Sequence, residues 1–372
     1  MSDRATTAAP DSSTPAAASP DARPVSGAPS DPAAEAAARA GFQHLHAGHC
    51  ESGVTAALFA HGGVAIDEPM VFGIGSGIYF LHAPFLKVMG IPLTSYRTYP
   101  MGIFRKACTR LGVGYRSRRF FKRSAGRAAL DALVDARVPV ALQGNLFWLS
   151  YFPREFRFQF NGHNFLVVGR AGSDYVVSDP VLEAPVLCPA AALDRARFAR
   201  GLLSPRGLLY HPVSFPKTID FRPAIRAALK DVCRSMLRVP MPVIGVRGIR
   251  YLARQVRRWP ETLPPEPTRL YLGNIVRVQE EVGTGGGGFR FMYAAFLQRA
   301  GEELRHDPLL RASEMMTASG DAWRRFAEDA ALVVKNRHEG RVTFDGLGDS
   351  LEAIAENERR VFAYIEANLP PA

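Results

Sequence analysis

Cys50 stands in Leu45-His46-Ala47-Gly48-His49-Cys50-Glu51-Ser52-Gly53, where an irregular Gly/His-rich segment gives way to the helix-like apolar run Val54 to Ala60. A cysteine at a helix start is placed for nucleophilic chemistry. The positive end of the helix dipole stabilises its thiolate, and the free N–H groups of the first turn can receive a developing oxyanion. By itself such a cysteine is more commonly a small buried core residue. A nucleophile needs a base near its sulfur and a group that orients the base from the other side. His163, in Asn161-Gly162-His163-Asn164-Phe165, opens a strand-like run, where side chains meet a sheet edge or cleft. Asn164 to Val168 and Tyr175 to Val177 flank Arg170-Ala171-Gly172-Ser173-Asp174, the signature of a β-hairpin. With the loop centred on Ala171, His163 faces Asp179, and directly opposed side chains have Cβ atoms about 4.5–5.5 Å apart. The competing acid, Asp174, lies about 16 Å up the strand from Asp179 at roughly 3.3 Å per residue. The expected set is Cys50 as nucleophile, His163 as base and Asp179 as orienting acid. The opposing reading is a plain turn at Ser178-Asp179-Pro180 beside a satisfied surface histidine.

Other chemistries fit the same residues less well. His44, His46, His49 and Cys50 match no common zinc spacing and would strain a tetrahedron, so no metal is expected. Gln43, seven residues before Cys50, could donate a side-chain N–H to an oxyanion, or be an ordinary surface amide. Phe72-Gly73-Ile74-Gly75-Ser76-Gly77-Ile78 has Ile78 where a dinucleotide fingerprint needs its third glycine, so no nucleotide cofactor is expected. Gly283 to Gly288 lacks the Lys-Ser/Thr of a phosphate loop and reads as a hinge or helix entry, with Arg290 able to hold an anion beside it.

Around these residues, Gly41 to about Pro212 reads as one α+β domain (41–212), and from about Ile219 the chain turns to helical periodicity rich in Arg, Leu and Ala (213–372). Prolines at Pro240, Pro242, Pro260 and Pro264 to Pro267 are expected to break the helices. Residues 1–40, rich in Ala, Pro, Ser and Asp, read as a disordered tail without a secretion signal. No apolar run is long enough for a membrane span, and the four cysteines have no metal or disulfide spacing, so a reduced cytoplasmic setting is expected. A net charge of +11 points to an acidic partner. Arg and Lys concentrate at residues 97–127 and at 247–258, the second group in a helical stripe. No nucleic-acid-binding module accompanies them, and no nucleic acid is expected.

Four segments together resemble a known family: His49-Cys50-Glu51-Ser52-Gly53, Asp67-Glu68-Pro69-Met70-Val71-Phe72-Gly73-Ile74-Gly75-Ser76-Gly77-Ile78-Tyr79-Phe80, Gly162 to Gly169, and Val177-Ser178-Asp179-Pro180. The resemblance is to the N-terminal domain of butirosin biosynthesis protein H. The remainder, with Gly283 to Leu297, looks like the uncharacterised helical domain that often accompanies it. The resemblance implies a papain-like cysteine-protease-type domain with a small antiparallel sheet, followed by a mostly α-helical domain. It implies an acyltransferase that moves an acyl or aminoacyl group from an acyl carrier protein thioester to a small-molecule amine in secondary metabolism. By position, Cys50 is the nucleophile, His163 the base and Asp179 the orienting acid. Asn164 departs from the second histidine or similar group expected after the base, and Gln43 is offset by one from a papain-type glutamine. A papain-like hydrolase and a non-catalytic partner-binding protein are the alternatives.

Overall fold

Strands β3 (Gly114–Arg118), β4 (Val140–Gly144), β5 (His163–Ala171), β6 (Asp174–Ser178), β7 (Val186–Pro189) and β8 (Leu209–Ser214) form a six-stranded sheet in the order β3-β8-β4-β5-β6-β7. Every neighbouring pair is antiparallel. The computed structural model describes residues 31–88, 90–337 and 340–371. Alternate side chains leave the sheet on opposite faces. Ala141, Leu166, Val176 and Tyr210 join a large core, and Leu142, Phe165, Val167, Val177 and Leu209 a smaller one. Both faces are thus covered, which is why β5 reads as a nearly unbroken apolar run. The smaller core is closed by α5 (Arg123–Asp135) and α6 (Ala190–Arg197). On the other face lie α2 (Cys50–His61), α3 (Glu68–Ile74) and α4 (Gly102–Arg110), with a separate hairpin of β1 (Ile78–Val88) and β2 (Ile91–Arg97).

From Phe221 the chain is helical: α7 (Phe221–Cys233), α8 (Gly245–Thr262), α9 (Pro265–Glu280), α10 (Arg290–Leu304), α11 (Asp307–Val334) and α12 (Phe344–Ala367). The architecture is α+β, a helix-on-antiparallel-sheet domain followed by a mostly α-helical half. The large core runs without interruption from Leu166 and Tyr210 on the sheet to Tyr293, Trp323 and Phe362 in the helices, and Pro32–Ala372 forms one compact unit. Among the described residues no helix is long and apolar enough to cross a membrane.

Three local expectations are corrected. Residues 1–30 of the expected tail lie outside the described residues, but Pro32–Arg39 forms a helix, α1, whose Ala33, Ala36 and Ala37 are buried; alanine favours helix and packs closely. Pro260 lies within the last turn of α8 and does not end it. The β5–β6 loop is the two residues Gly172 and Ser173, tighter than the segment Arg170 to Asp174, with Gly172 at the positive φ of +61° that such a turn uses. A bulge at Val168 follows: Gly169 pairs with Val176, but Val167 pairs with Val177 and Leu166 with Ser178. Asp179 therefore falls opposite Phe165, two residues from the position facing His163.

Candidate active site

Cys50 is the first residue of α2, and His49 caps the helix in an extended conformation, its Nδ1 accepting the Ser52 N–H at 3.3 Å. Glu68, at the start of α3, receives the N–H groups of Gly48 and His49 (both 2.8 Å) and the Ser52 hydroxyl (2.9 Å). This carboxylate fixes the loop that leads into Cys50. Glu51 is fully buried; it pairs with Arg97 and accepts the N–H groups of Ile103 (3.0 Å) and Phe104 (3.3 Å), so β2 and the first turn of α4 are tied to the same helix turn. A buried carboxylate is tolerated because one oxygen is paired with a guanidinium and the other accepts two N–H groups. Gly53 lets the turn approach the far side of the sheet: a Cβ there would lie 2.5 Å from Ala47 Cβ and 2.8 Å from Pro180 Cβ.

That approach brings Cys50 to the ends of β5 and β6. His163 Nε2 lies 2.6 Å from Asp179 Oδ2, although the two residues are diagonal and not directly opposed. Diagonal neighbours on one face are about 7–8 Å apart at the backbone, within reach of an imidazole and a carboxylate. Had the ladder continued without the bulge, Asp179 would face Leu166 and point away from His163. Tyr151 donates its hydroxyl to Asp179 Oδ2 (2.8 Å), and Val181 N–H reaches Oδ1 (3.3 Å). Phe152 packs edge-on against the His163 ring.

With Nε2 engaged by Asp179, His163 has Nδ1 for the sulfur. Burial by itself would raise the Cys50 thiol; a hydrogen bond from His163, the charge and hydrogen bond of His49, and the charge of His163 outweigh it, and the thiol is held well below its ordinary value. Burial would lower His163, but the charge and hydrogen bond of Asp179, then the hydrogen bond and charge of Cys50, raise it to about 10. Both shifts act in the same sense, favouring a thiolate beside an imidazolium. The other cysteines show what burial does without such partners: Cys108 is pushed up, and Cys188 and Cys233 are each raised to about 12.

Two residues beyond the expected set touch the site. Asn164 Nδ2 lies 3.7 Å from Cys50 Sγ, and its Oδ1 accepts the Tyr210 hydroxyl at 3.0 Å. Its position next to His163 at a strand start, on the face that α2 covers, was the available signal. His49 is 2% exposed. Its Nδ1 lies 3.3 Å from Ser52 N and 2.8 Å from Ser52 Oγ, and its buried Nε2 has no nitrogen or oxygen partner among the described residues. The other residues of the segment do different work. His44 is a strut, with Nδ1 2.8 Å from Ser178 Oγ and Nε2 2.9 Å from Leu182 O. His46 lies 3.8 Å from Glu183, and Gln43 is exposed, unlike the buried Cys50 it was considered for.

The helical half supplies a wall of this site. Gly286, Gly287 and Gly288 all have positive φ, and a Cβ at Gly288 would lie 2.4 Å from the Tyr96 ring. The turn they make drives Phe289 between His49, edge-on at 5.0 Å, and Phe72, stacked at 5.2 Å. Met292 Sδ comes within 4.0 Å of Ser52 Oγ. Arg290 is not free to hold an anion: it is fully buried and doubly bonded to Glu358 at 2.8 and 3.0 Å.

Residues 49–180 match the family model for the N-terminal region of butirosin biosynthesis protein H, and residues 191–365 match a domain of unknown function, DUF4872. A comparison with curated proteins found no match. Among solved structures, a C39-like peptidase from Bacillus anthracis aligns at 15% identity over 48% of this chain and 97% of its own, with a TM-score of 0.34.

Proposed function

Residues 49–180 belong to the butirosin biosynthesis protein H N-terminal family, and from that premise we propose that this papain-like cysteine enzyme is an acyltransferase, taking an acyl or aminoacyl group from a carrier-protein thioester to a small-molecule amine. The observation that carries the reading is the depressed Cys50 thiol beside an imidazole held protonated by Asp179. In the first half-reaction the Cys50 thiolate attacks the thioester carbonyl carbon, and the carbonyl π pair moves to oxygen. His49, through its buried Nε2, and the N–H groups at the start of α2 are the donors we assign to that oxyanion. As the tetrahedral centre collapses, the C–S bond to the carrier breaks and the departing thiolate takes the proton from His163 Nδ1. The acyl group now rests on Cys50.

In the second half-reaction the amine nitrogen attacks the acyl carbon, neutral His163 takes its proton, and Cys50 leaves as thiolate, restoring the starting pair. Burial of Cys50, His163 and Asp179 at 8, 6 and 0% exposure favours an acyl-enzyme that outlasts water until an amine arrives. The test is intact-mass spectrometry after mixing the protein with acylated carrier proteins. An acyl adduct on Cys50, absent in Cys50→Ser and discharged to an amide by added amines, is the expected result. Adduct discharge to free acid regardless of amine would make the enzyme a hydrolase, and no adduct from any carrier or small thioester would sink the reading.

A further inference from the structure

Between Glu68 and Asp131 the chain contains no Asp or Glu. Some cations in this stretch find carboxylates elsewhere: Lys106 and Arg110 pair with Asp231, and Arg127 with Asp194. Arg105, Arg118, Arg119 and Lys122 are exposed, as is Arg206, and among the described residues none of the five is in an ion pair. They gather at one place. Burial and the charges of Arg105 and Arg206 hold the Arg119 guanidinium below its ordinary value, so the three are close neighbours. In their midst Phe121 is 92% exposed, an aromatic ring with nothing packed over it.

The sheet register locates this patch relative to the chemistry. Arg118 pairs with Leu209, Leu209 with Leu142, and Leu142 with Phe165, a single row across β3, β8, β4 and β5. Three strand spacings of about 4.8 Å put Arg118 roughly 14 Å from Phe165. Because β3 runs parallel to β4, the residues after Arg118 leave the sheet at the end where β5 begins with His163. Arg105 approaches from α4, whose first-turn N–H groups of Ile103 and Phe104 hold Glu51, the neighbour of Cys50. The patch is therefore on the rim of the active-site end of the sheet.

We propose that Arg105, Arg118, Arg119, Lys122 and Arg206, with Phe121 as apolar anchor, form the docking surface for an acidic protein that presents its thioester to Cys50. The inference rests on the carrier-thioester reading above and says where the carrier sits. An uncompensated cationic rim attracts an acidic surface and speeds encounter, and an exposed aromatic at its centre supplies the desolvated contact that such interfaces concentrate their energy in. The position beside the nucleophile selects a macromolecule that delivers a reactive group, over a membrane or nucleic acid that would need only the charge.

The experiment uses the full chain with a fluorescently labelled bacterial holo acyl carrier protein, read by anisotropy. Binding at low salt that weakens steeply as salt rises, and about ten-fold weaker binding by Arg118→Glu/Arg119→Glu/Lys122→Glu and separately by Phe121→Ser, is expected. Unchanged thermal melting of the variants checks that they fold. No carrier binding by the wild type, equal binding by wild type and variants, or binding of phosphatidylglycerol vesicles or duplex DNA through the patch in place of the carrier would each overturn the proposal. The two readings fail separately. Carrier binding through the patch without any Cys50 adduct keeps the docking surface and removes acyl transfer; equal Cys50 acylation from the carrier in wild type and variants does the reverse. Acylation by a small donor, S-acetyl-N-acetylcysteamine, is expected to be the same in all of them.

Discussion

At the level of single residues, what separates Cys50 from the three other buried cysteines is its company. At Cys108, Cys188 and Cys233 burial is the largest influence and pushes the thiol up, with no imidazole to oppose it, whereas Cys50 has two imidazoles against it. Iodoacetamide should therefore label Cys50 alone and with an acid limb below neutral pH. The sign follows from the shifts: a depressed thiol is thiolate before the ordinary range is reached, and a histidine raised to about 10 keeps its proton until then. Acylation by a thioester should accordingly plateau across neutral pH and fall as pH rises through about 10, the two limbs belonging to the pair. In His163→Ala the acid limb should move up toward an ordinary thiol; an unmoved limb would show that His163 is not the partner. His49 makes a separate prediction. His49→Ala should slow acylation by about 10²- to 10³-fold through loss of an oxyanion donor, and His49→Gln should recover part of it. Loss of the helix cap would cost only about 1 kcal/mol, so a melt with a small shift beside a large rate loss separates the two roles. Cys50 was legible because a nucleophile at a helix start has a local pattern. His49 was not, since an N-cap imidazole differs from any loop histidine only in where its second nitrogen ends up.

Between elements, the decisive contacts are the seat of α2 on the end of β6 and the bulge in β5. Ala47 N–H bonds Pro180 O at 2.7 Å, and Gly53 has no room for a side chain against Ala47 and Pro180. Gly53→Ala places a methyl inside both contacts, so α2 must move off Pro180. A loss of about 1–3 kcal/mol in denaturant unfolding is expected, together with slower alkylation of Cys50 as its sulfur leaves His163. Full stability with unaltered alkylation would mean that the seat is not what aligns the nucleophile. The hairpin between β5 and β6 was evident from two apolar runs around a Gly-Ser turn. Its register was not, because the position of the loop and a one-residue bulge both shift the pairing and neither has a distinct apolar pattern. His163 and Asp179 do meet, by a diagonal contact; counted without the bulge from the observed Gly172-Ser173 loop, they would fall on opposite faces.

Across the whole molecule, the helical half is a structural partner of the nucleophile through Phe289 and Met292. That segment is anchored by Arg290, which is bonded to Glu358 and the Gly288 carbonyl and lies over the rings of Tyr96 and Trp323. Trp323 Nε1–H and the Ser319 hydroxyl also go to Glu358. Glu358→Ala would leave a buried guanidinium unpaired, at a cost of about 3–5 kcal/mol. If the anchor holds the wall in place, the same variant should lower the melting temperature and slow Cys50 acylation, even though Glu358 is remote from the sulfur in the chain; a lowered melting temperature with normal acylation would limit it to stability. The sequence by itself determined what is local: a cysteine at a helix start, strands with apolar alternation around a turn, a helical second half, and an excess of positive charge. Tertiary structure alone decided which face Asp179 takes, that the His49 imidazole flanks the sulfur, and that a turn of glycines presses Phe289 against it. The reason is physical. Periodicity and capping act over one or two turns of chain, whereas a one-residue bulge reverses a face, and the contact between Ser52 and Met292 joins residues 240 positions apart that no local pattern relates.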